Sequence, residues 1–226
     1  MRKIVISLGG SILFQDTINT EYIKKFKKII EKLNDKFVVV IGGGKTARNY
    51  MDTLKNENIE PYHQHQIGVY TTYLNAAFVE SFFTKDAKKR IFIPRDYDEF
   101  DKKFNESKVT FLGGIIPGST TDGTAAEIAQ RIKADLFINI TNVKGLYDKD
   151  PKTNSNAKFI KEISHKDFYD KFISKIESKP GMHFIMDHKA AKICRDSKIK
   201  IIILSKLEDL EKCLYNRKFT GTIIGW

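Results

Sequence analysis

Cysteine is scarce in this chain of 226 residues: Cys194 and Cys213 are the only two. Their spacing fits neither a C-x-x-C redox pair nor a zinc framework, so two reduced, structural thiols are expected. Long apolar runs are missing as well. Met1-Arg2-Lys3 leads into a short apolar strand that Gly9-Gly10 interrupts. That stretch is too short for a signal peptide's apolar region or a membrane span, which points to a cytosolic protein. No segment is rich enough in Pro, Gly or Ser to act as a linker, and no repeat of solenoid period is present. What remains, at 41% hydrophobic and 30% charged residues, is the composition of an ordinary folded domain rather than a disordered tail or a fibre.

Acidic residues are the minority: 39 Lys and Arg stand against 28 Asp and Glu, a formal net charge of +11. Such a balance suits anionic small molecules and would suit nucleic acid, and charge alone does not choose. The lysines come in short pairs, Lys24-Lys25, Lys27-Lys28 and Lys88-Lys89, interleaved with Glu and Asp. That pattern reads as a solvated surface and not as a basic stripe for a phosphate backbone.

Strand and helix patterns alternate along the chain. Lys3 to Leu8 reads as a buried strand, and Thr20 to Leu33 as a helix capped by Asn19 or Thr20, with Tyr22, Ile23, Phe26, Ile29, Ile30 and Leu33 as its apolar stripe. Phe37–Ile41 is a continuous apolar run, as a parallel strand covered on both faces requires, and a helix follows from about Lys45. Further helices are expected at Tyr70–Phe83, Thr121–Ile132, Asp187–Asp196 and Leu207–Leu214. Strands are expected at Arg90–Ile93, Val109–Leu112, Leu136–Ile140, Lys200–Leu204 and Thr222–Ile224. This order implies an α/β fold, a three-layer αβα sandwich with a mostly parallel central sheet. It is expected to be one domain with a division near Ala134, residues 1–133 binding an acceptor and residues 134–226 a nucleotide.

In an open parallel sheet, ligands bind beyond the carboxyl ends of the strands. Four loops at such ends are glycine-rich or polar: Gly9-Gly10-Ser11, Gly42-Gly43-Gly44-Lys45-Thr46, the run from Gly113 to Asp122, and Thr141-Asn142-Val143-Lys144-Gly145-Leu146-Tyr147. Glycine lets backbone N–H groups approach a phosphate, and a following helix aims its positive end at the anion. Three strand-loop-helix units of this kind suggest a polyphosphate gripped from several sides. The P-loop pattern fails, because it needs glycine where Val39 stands in mid-strand. The dinucleotide pattern G-x-G-x-x-[GA] is met by Gly42, Gly44 and Ala47, with Glu60 near the distance of a ribose-binding acid. It stays open as an alternative.

The blocks Leu8-Gly9-Gly10-Ser11, Gly42–Arg48, Pro117-Gly118-Ser119-Thr120-Thr121-Asp122 and Thr141–Tyr147 with Asp150-Pro151 occur in one order over nearly the whole chain. They extend to Ile185–Lys192 and Gly221–Ile224. In this the sequence resembles the amino-acid kinase superfamily, and within it the archaeal-type UMP kinases look closest. The resemblance implies a cytoplasmic phosphotransferase of pyrimidine biosynthesis that moves the γ-phosphoryl group of ATP to UMP, with Mg²⁺ arriving as Mg·ATP. It implies no nucleic-acid or membrane partner, and a homo-oligomer, a hexamer of paired subunits. Gly9, Gly10 and Ser11 would hold the transferred phosphate, and Gly44 and Arg48 would touch the triphosphate. Thr141, Asn142, Tyr147 and Asp150 would line the adenine and ribose site. Gly43 with Gly114, Pro117, Gly118, Ser119 and Thr120 would bind the nucleoside monophosphate. Asp122 would orient cationic groups, and Asp187 matches a catalytic aspartate.

Three positions depart from the family pattern. Ser7 stands where many members carry lysine, and Lys45 is a candidate replacement for that cation. His65 stands where relatives have an aspartate on the ribose hydroxyls, and an imidazole cannot offer two carboxylate acceptors. Gly123-Thr124 replaces better helix formers and is expected to loosen a helical turn. Other readings are a sibling kinase acting on another nucleotide, an isopentenyl phosphate, carbamate or an acylated amino acid, and a non-catalytic nucleotide- or oxyanion-binding relative. His63 and His65, two apart on a supposed strand, invite a metal reading that a third ligand would have to complete. His165, His183 and His188 read as scattered surface residues, and Tyr73, Phe78, Phe82 and Phe83 as core or subunit contacts.

Overall fold

Two apolar runs, Lys3–Leu8 (β1) and Lys36–Ile41 (β2), pair in parallel from Lys3↔Lys36 to Leu8↔Ile41. Every residue after the first of each is buried, as strands covered by helices on both faces must be. The computed structural model describes residues 1–86, 91–151, 153–174 and 186–225. Among the described residues the sheet has seven strands. Their order is β3 (Val109–Leu112), β2, β1, β4 (Leu136–Ile140), β8 (Ile201–Leu204), β9 (Thr222–Ile224) and β7 (Glu162–Ile163). Only β9 runs against its neighbour β8; every other pairing is parallel. Beside the sheet, β5 (Leu146–Tyr147) and β6 (Phe159–Ile160) form a small antiparallel hairpin.

Helices cover both faces. On one, α2 (Thr20–Glu31), α4 (Pro61–Phe83) and α9 (Leu207–Leu214) enclose Ile4, Ile6, Leu8, Val39 and Ile138. On the other, α5 (Tyr97–Glu106), α6 (Thr121–Arg131) and α8 (His188–Asp196) enclose Val5, Val38, Val40, Phe137 and Ile203. The spacing of Ile23, Phe26, Ile29 and Ile30 sets the buried stripe of α2, and Asn19 caps it by accepting from Tyr22 N at 3.1 Å. Burial of one such side chain stabilises by roughly 1.5–3 kcal/mol. Two short helices, α1 (Gly10–Leu13) and α7 (His165–Phe168), complete the described set with α3 (Gly44–Asn56) and a π-helical turn at Tyr169–Ile173. No helix among the described residues is long and apolar enough to cross a membrane.

The three-layer αβα architecture expected from the element order is present, and several elements differ in detail. The helix expected over Tyr70–Phe83 begins at Pro61, whose fixed φ and missing N–H suit a first helical position. His63 and His65 therefore stand on a helix, where residues two apart face different ways, and the strand-based metal reading falls. No strand forms over Ile91–Ile93, which precede Pro94, and Arg90 lies outside the described residues, as do Lys88-Lys89, His183 and Ile185. Helix α5 is not among the expected elements, although an aspartate caps its start: Asp96 Oδ1 accepts from Glu99 N, and Glu99 Oε2 accepts from Arg95 N, the residue before the cap, both at 2.8 Å. His165 is buried rather than on the surface, and desolvation lowers its pKa. Cys194 and Cys213 are both free and buried.

Candidate active site

Because β1, β2, β3, β4 and β8 run in parallel, their carboxyl ends share one edge, and every glycine loop singled out in the sequence opens there. The loops interlock through their backbones. Gly42 N donates to Leu8 O at 3.1 Å, Gly9 N to Ile140 O at 3.1 Å and Lys45 N to Phe14 O at 2.9 Å. A Cβ on Gly10 would lie 2.3 Å from Gly44 N and 2.4 Å from Gly42 O, so only hydrogen fits between the first loop and the second. Gly44 opens α3 with φ +66°, a left-handed conformation that other residues adopt at a cost. The N-terminal ends of α1 and α3 thereby converge.

Helix α4 holds this arrangement from behind. Asn75 Nδ2 donates to Gly42 O at 2.9 Å and to Gly43 O at 3.1 Å. One turn earlier, Thr72 Oγ1 accepts from Gly114 N at 2.7 Å and donates to Val69 O at 2.6 Å. Two buried polar residues thus tie the loops after β2 and β3 to one rigid rod. His65 is exposed, seven residues before Thr72, so it shares the α4 stripe that faces Gly114. Further along the same loop, Ser119 Oγ is buried with no hydrogen-bond partner, an orphaned group of the sort a ligand satisfies.

A polar chain runs beneath the loops. Ser7 of β1 and Asn139 of β4 are register partners, and both reach Asp122 in the first turn of α6. Ser7 Oγ donates to Asp122 Oδ1 at 2.6 Å and Asn139 Nδ2 to Oδ2 at 3.3 Å. Burial pushes the Asp122 carboxyl up to about 6; the two donors pull it down and the charge of Asp187 adds to the rise. Asp187 caps α8, accepting from Ala190 N at 2.8 Å, and it accepts from Thr120 Oγ1, the cap of α6. A Cβ on Gly123 would meet Ser119 Oγ at 2.9 Å and Asp187 Oδ2 at 3.6 Å. Glycine there gives α6 room beside the cap of α8, which accounts for a residue expected merely to loosen the helix.

The glycine loops, the orphaned Ser119 hydroxyl and the two carboxylates gather at one edge of the sheet, and known proteins bear on what they could hold. A model of the amino acid kinase family matches residues 2–205. The chain belongs to that family. It is 37% identical to the uridylate kinase of Archaeoglobus fulgidus, over 98% of this chain and 99% of the relative, and 34% identical to that of Thermoplasma acidophilum, over 98% and 96%. The crystal structure of the Archaeoglobus fulgidus uridylate kinase matches with a TM-score of 0.85 at 35% identity, covering 100% of both chains. A UMP kinase structure from Ureaplasma parvum, TM-score 0.80 at 22% identity, shares the fold.

In this amino acid kinase the dinucleotide-binding alternative loses its ribose acid: Glu60 is the residue before α4 and ends no second strand. Among the remaining candidates, Gly9 caps α1, Gly10 is its buried first residue, and Ser11 follows half-buried. Gly43 caps α3. Lys45 Nζ is engaged by the exposed Asp16. Arg48, exposed on the first turns of α3, makes no ion pair or hydrogen bond among the described residues. Pro117 and Gly118 form the outer turn of the loop after β3. Beyond the end of β4, Thr141 N donates to Leu204 O at 3.0 Å, Thr141 Oγ1 meets Asn142 Oδ1 at 3.3 Å, and Tyr147 packs edge-on against Phe159 at 5.3 Å. Asp150 O accepts from Asn154 N at 2.9 Å and turns the chain back toward β6.

Asn75, Thr72 and Asn139 were not picked out from sequence. Each had a signal: a polar residue inside an otherwise apolar helix or strand, where an unpaired side chain would be costly.

Proposed function

We propose that this chain is a UMP kinase, converting ATP and UMP to ADP and UDP. The observation that carries the reading is the backbone contact between Gly10 and the Gly42–Gly44 loop, which sets two helix N-termini at one place. Uridylate kinase relatives matching almost end to end support it. In this reading residues 1–133 supply the acceptor half, through Gly43, His65, Gly114 and Pro117–Thr120, and residues 134–226 the nucleotide half, through Thr141, Asn142, Tyr147 and Asp150. One sheet, joined by the β1–β4 pairing, carries both.

Phosphoryl transfer asks a protein for in-line positioning and for neutralisation of the moving charge. The amides of Gly10, Ser11 and Gly44 supply fixed positive dipoles around the transferred group, while that of Gly9 ties the first loop to β4. Asp122, held by Ser7 and Asn139, and Asp187, held by Thr120 and Ala190 N, keep two carboxylates beside it. Among the described residues no group of three or more metal-ligating side chains exists. Two adjacent carboxylates fit Mg²⁺ only as an ion that brings phosphate oxygens and water as its other ligands. With Ser7 contributing no charge and Lys45 bound to Asp16, the uncommitted guanidinium of Arg48 is the group we assign to the triphosphate.

Incubation of the purified protein with Mg·ATP and a panel of nucleoside monophosphates, isopentenyl phosphate, carbamate and acylated amino acids tests the acceptor. UMP should release ADP at least tenfold faster than any other acceptor. Faster release with another acceptor, or ATP binding without turnover on any of them, overturns the proposal. Arg48→Ala should raise the KM for ATP about tenfold, the loss of one charge-assisted hydrogen bond. Its melting temperature should not move, since Arg48 has no partner among the described residues.

The outer faces of α3 and α4 expose Tyr50, Tyr62, Tyr70 and Leu74, each more than half accessible. Exposed aromatic and apolar side chains on two helices that pack together support a contact between copies. A homo-oligomer of paired subunits, a hexamer, is the assembly we propose, and a monomer mass by light scattering at micromolar concentration would rule it out.

A further inference from the structure

At the opposite edge of the sheet, where the parallel strands begin, lies a cleft of about 500 Å³. Its floor is apolar and comes from three strands: Leu136 of β4, Ile202 of β8 and Ile223 of β9. Ile202 pairs with both Ile223 and Ile138, and Leu136 stands two residues before Ile138, so all three share the face on which α9 packs. Cys213 at the end of α9 and Phe219 beyond it form a wall.

The rim is basic. Two of its charges are satisfied: Arg2 grips Asp35 at 2.6 Å and donates to Leu214 O at 2.8 Å, and Asp135 accepts from Lys3 N at 2.7 Å. Lys161, Lys200, Arg217 and Lys218 are different. None of the four has an ion pair or side-chain hydrogen bond among the described residues, and Glu162 is the other acid on the rim. Arg2 and Lys200 also act as nearby positive charges on Cys213, whose thiol burial nevertheless pushes up to about 11. Lys161, Lys200, Arg217, which lies over the Tyr215 ring at 5.2 Å, and Lys218 face Glu162 as the one acid with no side-chain hydrogen bond or ion pair among the described residues, so the rim stays net positive and an entering anion is favoured. The cleft has the size of a small-molecule site, an apolar floor with a few convergent polar groups. Strand β1 spans six residues, so the cleft is about 20 Å from the glycine loops and its occupant would not compete with a ligand there.

We propose that this cleft is a second binding site, for a small polyphosphate-bearing molecule. Its phosphates sit among Lys161, Lys200, Arg217 and Lys218, and its body lies on Leu136, Ile202 and Phe219. Calorimetric titration of the full chain with sodium tripolyphosphate, and separately with CTP, tests it. Lys200→Glu/Arg217→Glu should abolish one component of tripolyphosphate binding, or weaken it at least tenfold, with the melting temperature preserved. Lys25→Glu/Lys28→Glu on the exposed side of α2 changes the net charge equally and should leave that component within twofold. Equal weakening in both variants, or none in the first, overturns the site. CTP binding at least tenfold tighter than tripolyphosphate in that component assigns the apolar floor to a nucleoside; equal affinity assigns the site to free polyphosphate. Tighter binding of a single-stranded RNA oligomer with the same dependence on Lys200 and Arg217 would overturn the small-molecule assignment.

Discussion

Gly10→Ala is expected to reduce UMP-dependent ADP formation at least a hundredfold and to lower the melting temperature. The added methyl would sit 2.3 Å from Gly44 N and 2.4 Å from Gly42 O. Both are backbone atoms, so no rotamer change relieves the clash; the two loops must part. Overpacking of this kind costs about 1–3 kcal/mol. The kinetic loss comes from geometry: displacing positioning groups by about 1 Å can cost on the order of 10²-fold in rate. The added methyl also intrudes between the N–H groups of α1 and α3, whose joint presentation is the basis of phosphate binding. Gly225→Ala is the control. There the nearest atom to a new Cβ is Lys200 Cγ at 3.7 Å, and activity and stability should stay close to those of the parent. A Gly10→Ala protein that keeps activity within fivefold would remove the loop contact from the mechanism.

That contact was partly legible in the amino-acid sequence. Uninterrupted apolar runs such as Phe37–Ile41 identify central parallel strands, and parallel strands put their loops at one edge, so the cradle's place follows from pattern and topology. What holds the cradle does not follow, because Thr72 and Asn75 lie within the expected helix Tyr70–Phe83 but the loops they reach are set by how that helix packs on the sheet. The first half of α4, with Pro61, the polar run His63–Gln66 and Gly68, lacks a clear apolar stripe; its helical state depends on packing against α3, where a Cβ on Gly68 would lie 3.0 Å from Met51 Sδ. Local propensity carries no information about that contact. Asn139 was equally hidden, since its meaning depends on being the register partner of Ser7, more than a hundred residues away. In the sequence Ser7 is distinguished only as a missing lysine. In the fold it is the hydroxyl that takes up Asp122 Oδ1, so the absent cation leaves behind a carboxylate with neutral partners and a raised pKa.

The second large effect follows from that carboxylate. Asp122→Asn should lower kcat by about 10²-fold or more, the scale of losing one fixed electrostatic group at a reacting phosphoryl, and should also change how stability depends on pH. In the folded protein the Asp122 carboxyl titrates at about 6, against 3.8 for an ordinary aspartate. Between those values the folded state binds more protons than the unfolded one, so stability is highest at low pH and falls as pH rises through 6. The full difference is at most about 3 kcal/mol, taking about 1.4 kcal/mol per pKa unit. An asparagine cannot ionise. It still accepts from Ser7 Oγ, and Asn139 can turn its amide to accept from the new Nδ2. Melting curves from pH 5 to pH 8 should therefore show the wild type losing stability relative to Asp122→Asn as pH rises. The variant should already be the more stable protein at pH 5, by about half of the full difference, and its advantage should level off above pH 6.5. Parallel curves would mean that Asp122 is not the buried acid its contacts indicate, and an active Asp122→Asn protein would reduce it to a strut between β1, β4 and α6. A more stable but inactive variant is the result expected of a charge kept in the protein for the reaction at the expense of the fold.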